Sequence, residues 1–197
     1  MKLLHIDSSI LGEKSASRVL SREIVSRWQS AIPELDVSYL DLAATPISHF
    51  GTTAGAGEDA ASLERDAALG ARALEDFLRA DVIVIGAPMY NFTVPSQLKA
   101  WLDRVLVAGR TFRYTAAGPV GLAGGKRVVV ALSQGGVLYP GDAGEHVETY
   151  LRDVFQFIGI TDLTFVRAKG LAISPESRQK GLDAALASIP APRALAA

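Results

Sequence analysis

The 197-residue chain carries 20 Lys and Arg against 21 Asp and Glu, so neither a basic field for nucleic acid nor an acidic one for a basic partner is present. It has no cysteine, which excludes thiol catalysis, iron–sulfur ligation and disulfides, and its three histidines (His5, His49, His146) include no pair at metal-ligand spacing, so no metal is expected. Its 49 % hydrophobic residues suffice for a core, and no apolar stretch nears the roughly 18 residues of a membrane span, so a cytoplasmic domain covering 1–197 is expected.

Leu3 to Asp7 reads as a first strand, its apolar run being too short for a signal peptide. Leu20, Ile24, Val25 and Trp28 make the buried stripe of a helix that ends before Pro33. Val37 to Leu42 is a second, more polar strand, expected at a sheet edge. Thr45 to Gly57 reads as loop, most flexible from Thr52 to Gly57. A helix follows, with Leu74, Phe77 and Leu78 against the sheet. Asp81 to Ile85 is β-branched and apolar on both faces, as in a buried parallel strand, and the run breaks at Gly86-Ala87-Pro88. Pro95 opens a helix whose one face carries Leu98, Trp101, Leu102, Val105 and Leu106. Lys126 to Leu132 is a fourth strand, and Val147, Tyr150, Leu151, Val154, Phe155 and Ile158 mark an amphipathic helix. Leu163 to Val166 is a fifth strand and Pro175 to Ile189 a final helix. Strands alternating with helices in this way predict an α/β fold, a doubly wound five-stranded parallel sheet with helices on both faces.

Three loops then meet at the carboxyl edge of the sheet, where open α/β sheets bind ligands. The first, Ser8 to Arg18, is rich in hydroxyls and feeds a helix N-terminus, which favours a phosphate, with Ser9, Ser15 and Ser17 as added donors. An ordinary capping loop uses the same residues. Neither Gly-Lys-Ser/Thr nor Gly-x-Gly-x-x-Gly occurs there, so it is neither a Walker A loop nor a dinucleotide fingerprint. In the second loop Tyr90 and Phe92 offer ring faces and Asn91 a donor and an acceptor, set against a reading in which both aromatics belong to the core. Ser96-x-x-Lys99 superficially matches a β-lactamase nucleophile motif, but without its companions it reads as a surface turn. The third loop, Ser133-Gln134-Gly135-Gly136, lets the backbone approach a ligand, or is a simple turn. The loops follow strands one, three and four, neighbours around the switch point of a 2-1-3-4-5 sheet. A phosphate site, a ring face and a ring edge together describe a flavin mononucleotide better than a dinucleotide or a sugar.

Asp7-Ser8-Ser9-Ile10-Leu11, Ser15-Ala16-Ser17, Asp41-Leu42-Ala43-Ala44, Pro88 to Phe92, Thr111 to Thr115, Ser133 to Gly136 and Phe157 to Ile160 occur in order. Together they resemble the bacterial FMN-dependent NADH-azoreductase family, flavodoxin-like enzymes related to the NAD(P)H quinone reductases, from residue 3 to about residue 173. The resemblance implies that Ser9, Ser15, Ala16 and Ser17 hold the FMN phosphate, that Met89, Tyr90, Asn91 and Phe92 line the isoalloxazine, and that Ser133, Gln134, Gly135 and Gly136 bind its edge. It implies NADH or NADPH as donor, quinones or azo compounds as acceptors, and a homodimer in which Tyr114 and Phe157 help enclose the neighbouring subunit's flavin. Gln134 is a departure, because the family often carries arginine there.

The chemistry implied is two-electron hydride transfer with ping-pong kinetics, carried by the cofactor, with no obligatory catalytic side chain and no metal. A same-fold quinone or flavin reductase with little azo activity is the nearest alternative. A flavodoxin-type electron carrier is disfavoured by the balanced charge, and a receiver module by Ala87-Pro88 in place of an aspartate at the end of strand three. His49, Tyr139 and His146 are candidate pocket residues that read rather as structural or solvent-facing. Gly109 to Gly125 is expected to project as an excursion whose Thr111 to Thr115 run has strand character, with Pro119 and glycines marking turns, or to form a local hairpin covering the sheet. Gly124-Gly125-Lys126 reads as a turn with a surface cation.

Overall fold

The computed structural model describes residues 1–49, 60–137 and 145–193. In chain order the elements are β1 (Lys2–Asp7), α1 (Ala16–Ala31), β2 (Asp36–Asp41), α2 (Ala60–Arg79), β3 (Val82–Pro88), α3 (Ser96–Val105), β4 (Phe112–Thr115), β5 (Gly118–Gly121), β6 (Arg127–Ser133), α4 (Glu145–Phe157), β7 (Asp162–Ala168) and α5 (Pro175–Ala187). The five long strands form one parallel sheet in the order β2-β1-β3-β6-β7, the expected doubly wound arrangement once the inserted pair β4–β5 is set aside.

Two apolar layers hold the helices to the sheet. On one face Leu20, Ile24, Val25 and Trp28 of α1 and Ala185 of α5 pack on Val82, Val84 and Val129. On the other, Phe77 of α2, Trp101 of α3 and Leu151 and Phe155 of α4 cover Ile83, Ile85, Val128 and Val130. β3 is buried along its whole length because helices cover both its faces, as its unbroken β-branched run requires. β2, at the edge, has no fully buried residue along its length, in keeping with its polar sequence.

β3 runs three residues past the expected break, through Gly86, Ala87 and Pro88, which pair with Ala131, Leu132 and Ser133. Proline is tolerated there because it is the terminal strand residue, where its missing N–H breaks no interior ladder. Pro119 sits inside β5 opposite Tyr114, not in a turn, since a two-stranded ribbon has free edges. Lys126 is not a surface cation. Its Nζ donates to the Leu78 and Ala80 carbonyls at 2.7 Å each, satisfying the C-terminal end of α2, and burial pushes the ammonium's pKa down. Ser96 and Lys99 form the first turn of α3 instead of a surface turn, and Lys99 is paired with Asp103 one turn on. The flexible stretch expected from Thr52 to Gly57 lies outside the described residues.

Candidate functional site

The loops after β1, β3 and β6 stand side by side, and a cleft of about 240 Å³ opens between them. Ser9, Ser15, Ala16, Met89, Tyr90, Ser133, Gln134 and Gly135 all line it, so residues from three distant stretches converge as the strand order predicts.

The serine loop ends in the N-terminus of α1, where Ser15 is the N-cap. Its Oγ accepts from the Arg18 amide at 3.3 Å and shares a 3.0 Å bond with Ser17 Oγ, so Ser17 lies buried beside it and supports the cap. Ser8 ties the loop to β3, its amide and hydroxyl both donating to the Gly86 carbonyl. Ser9 Oγ shares a 3.1 Å bond with the Tyr90 hydroxyl and accepts from the Leu11 amide.

Beneath the loop lies a polar network. Arg18 is buried; its Nε and Nη2 donate to the Ser9 carbonyl, and it holds Asp41 through both carboxylate oxygens. Arg18 Nη1 also donates to the Tyr39 hydroxyl, which donates to Asp7 Oδ2 at 3.1 Å, and Ser21 donates to Asp7 Oδ1. The bond from Arg18 holds the Asp41 carboxyl below its usual range, against the opposing effect of burial. The same pairing raises the guanidinium's pKa, while burial and the Asp7 and Asp41 charges push the Tyr39 phenol up to about 12. Its signal in the sequence was Arg18 itself, in phase with Ser21, Val25 and Trp28 on the buried face of α1.

Asn91 and Phe92 both take left-handed backbone angles, φ 48° and 67°, between Tyr90 and Thr93, whose amides and carbonyls pair across the turn. Tyr90 therefore stands as a partition. One side faces the cleft and the other a hollow of about 560 Å³ lined by Ile10, Pro95, Lys99, His146 and Tyr150, which Asn91 also lines. The Phe92 ring is exposed. Burial pushes the Tyr150 hydroxyl up to about 12, so it stays protonated at neutral pH.

In the third loop, the Gln134, Gly135 and Gly136 carbonyls accept from the Leu171, Ala172 and Gly170 amides, so this loop is zipped to the segment after β7. A Cβ at Gly135 would press on Ala172 Cβ at 3.2 Å, whereas at Gly136 it would meet nothing within 4 Å among the described residues. Packing therefore explains Gly135, which lines the cleft, while Gly136 is not among the cleft's lining residues. Gln134 is 3 % exposed and its Nε2 touches only the Met89 sulfur at 3.9 Å among the described residues. Its Oε1 is buried without a hydrogen-bond partner among the described residues. A buried orphan acceptor in a cleft wall is costly unless a ligand completes it.

Tyr114 and Phe157 do not line this cleft. Both rings pack on Phe112, at 5.5 and 4.7 Å between centroids, and Tyr114 is 74 % exposed. His49 is exposed and lines neither cavity, His146 lines the larger hollow, and Tyr139 lies outside the described residues. Sequence reasoning missed Leu171, Ala172 and Arg178, which close the cleft from the β7–α5 side.

A profile of the flavodoxin-like fold matches residues 1–191. The chain belongs to the flavodoxin-like fold family. This flavodoxin-like chain is 57 % identical over 193 residues to FMN-dependent NADH:quinone oxidoreductase 2 of Bradyrhizobium diazoefficiens, covering 94 % of the chain and 96 % of the relative. It is 56 % identical over 195 residues to FMN-dependent NADH:quinone oxidoreductase 1 of Pseudomonas putida, with 96 % of each covered. Its backbone matches a crystal structure of azoreductase from Bacillus anthracis with a TM-score of 0.82 at 29 % identity, 96 % of each chain being covered. An FMN-dependent NADH-azoreductase from the same species, in complex with FMN, gives 0.80 at 26 % identity, covering 95 % of this chain and 97 % of that one.

Proposed function

We propose that the chain is an FMN-dependent oxidoreductase that takes reducing equivalents from NADH and reduces quinones, with azo compounds as further acceptors. The observation that carries this reading is the cleft itself: hydroxyls at a helix N-terminus in one part of it, and in its wall the Gln134 side chain beside Met89, with an Oε1 that has no partner among the described residues.

The residues present fit FMN. Ser9 and Ser15 with the first amides of α1 suit a phosphate, and buried Ser17 supports Ser15 from behind. Met89 and Tyr90 offer apolar surface to a ring, and the Gln134 side-chain amide offers a polar partner to its edge. FMN supplies the two-electron hydride chemistry when bound. The protein's own part is to seat, orient and shield. The Arg18 network fixes the serine loop, the Tyr90 hydroxyl ties the second loop to the first, and the 170–172 segment braces the third. Donor and acceptor use the same open face in turn, so initial-rate plots follow a ping-pong pattern. Cleaving an azo bond to two amines consumes two equivalents of donor.

Homodimerisation belongs to the same proposal. It is supported by the Phe112, Tyr114 and Phe157 cluster, in which Tyr114 is largely exposed and away from this chain's own cleft, free to cover the cleft of a second copy. Quinones rank ahead of azo compounds, because relatives with more than half their residues identical carry quinone in their names, while the azoreductases are more distant.

The purified protein should show oxidised-flavin absorbance, release FMN on denaturation, and oxidise NADH faster with a quinone than with an azo dye. A colourless protein that takes up no added FMN would reject the proposal.

A further inference from the structure

We propose that Arg178, in the first turn of α5, is the cation that neutralises the phosphate of the bound mononucleotide and so makes the site select FMN over riboflavin. The inference rests on the FMN reading above. It concerns a residue about 160 positions from the serine loop that no phosphate motif contains.

Among the described residues that line the cleft, Arg178 is the one charged side chain and none is a carboxylate. Its Nη2 donates to the Lys14 carbonyl at 2.8 Å, next to the N-cap Ser15, which places the guanidinium where α1 begins. That bond uses one N–H of a side chain that carries five. The neighbouring buried arginine is already committed: Arg18 is matched by Asp41 and turned toward the Ser9 carbonyl. A phosphate monoester brings a charge of about −1.5 to −2 at neutral pH, and a helix N-terminus offers only about half a positive charge against it. The serines add donors without charge. A guanidinium fork suits phosphate geometry and supplies the missing charge.

The position of Arg178 is held from several sides. Pro175 and the Ser174 cap start α5, with Ser174 Oγ accepting from the Ser177 amide at 3.1 Å. Ser177 Oγ donates to the Gly170 carbonyl, and the Gly170 amide donates to the Gly136 carbonyl of the third loop. The start of α5 is thus tied to the same loop that forms the cleft wall.

The test is titration of the full chain, stripped of flavin, with FMN and separately with riboflavin, read by quenching of flavin fluorescence. The wild type should prefer FMN. Arg178→Ala should weaken FMN binding by about ten- to a hundredfold, the range for a charge-assisted hydrogen bond, and leave riboflavin binding within about twofold. Arg178→Gln, which keeps a donor for the Lys14 carbonyl but removes the charge, should behave in the same way. Arg178→Lys should recover part of the affinity. Added salt should weaken FMN binding more steeply for the wild type than for Arg178→Gln. Equal losses for both flavins would show that the side chain acts only by bracing Lys14, and unchanged FMN binding would show no role at all. Either result overturns the inference. Failure of the wild type to bind FMN would instead overturn the cofactor reading, and it would appear before any variant is compared.

Discussion

Arg18 grips Asp41 with two bonds, Nη1 to Oδ2 at 2.7 Å and Nη2 to Oδ1 at 2.8 Å, and its Nη2 also holds the Ser9 carbonyl at 2.8 Å. One guanidinium thereby joins α1, the edge strand β2 and the serine loop. Arg18→Met should leave Asp41 and the Ser9 carbonyl without their partner and cost about 2–4 kcal/mol of stability, a little below the range for a fully buried pair because Asp41 is partly exposed. FMN affinity should fall with it, since the loop loses its anchor. Denaturant unfolding and flavin titration read the two effects. A variant with wild-type stability and FMN binding would remove Arg18 from the site's framework.

The same pair predicts an acid limb in stability. Its bond to Arg18 holds the Asp41 carboxyl below the usual range, helped by the Ala43 and Ala44 amides. A carboxyl with a folded pKa below its unfolded one contributes stability above the unfolded pKa and loses it as pH falls through the folded pKa. Unfolding free energy should therefore be insensitive to this group from neutral pH down to about pH 4 and decline below it. Asp41→Asn should lower stability at neutral pH and flatten the acid decline. Parallel curves for the two proteins in denaturant melts across that range would contradict the assignment.

Much of this was legible from local pattern. The β-branched run at 82–85 and the stripes of α1, α3 and α4 follow from burial, and burial leaves its period in the sequence. The convergence of the serine, Tyr90 and Gln134 loops followed from strand order. What escaped was set by pairs remote in sequence. The extension of β3 through Gly86 to Pro88 depends on β6 lying alongside, not on propensity. Lys126 looked exposed because its partners are carbonyls at the end of another helix. Arg178 reaches the cleft only because β7 lies beside β6, which brings the start of α5 to Lys14.

Gly121 marks where the β4–β5 hairpin rests on the end of α4. An added Cβ would sit 2.2 Å from both Gly159 N and Ile158 C, backbone atoms that cannot rotate away. The Ala123 amide bonds to the Ile158 carbonyl just beyond, so the contact is fixed on both sides. Gly121→Ala should destabilise by about 1–3 kcal/mol and shift the Phe112–Tyr114 pair. If that aromatic cluster covers a second copy's cleft, sedimentation should also show a weaker dimer. A variant as stable as the wild type would mean that the hairpin is not seated as described.

The turn at Asn91 and Phe92 combines strain with exposure. Both residues have positive φ between Tyr90 and Thr93, the pattern of a type I′ turn, which ordinarily takes Asn-Gly. Asparagine suits the first position, but phenylalanine at the second costs roughly 1–2 kcal/mol relative to glycine. Nothing in the core repays this, because the Phe92 ring is 60 % exposed. Phe92→Gly should therefore stabilise the protein by about 1 kcal/mol. It should also weaken FMN binding or slow turnover if the ring serves the flavin face. Asn91→Gly keeps the turn while removing the amide, whereas Asn91→Ala removes the amide and strains the turn. A loss of FMN affinity shared by both variants belongs to the amide, and a loss of stability confined to Asn91→Ala belongs to the backbone. If Phe92→Gly proves less stable than the wild type, the ring has a packing partner and the strain is compensated within the fold.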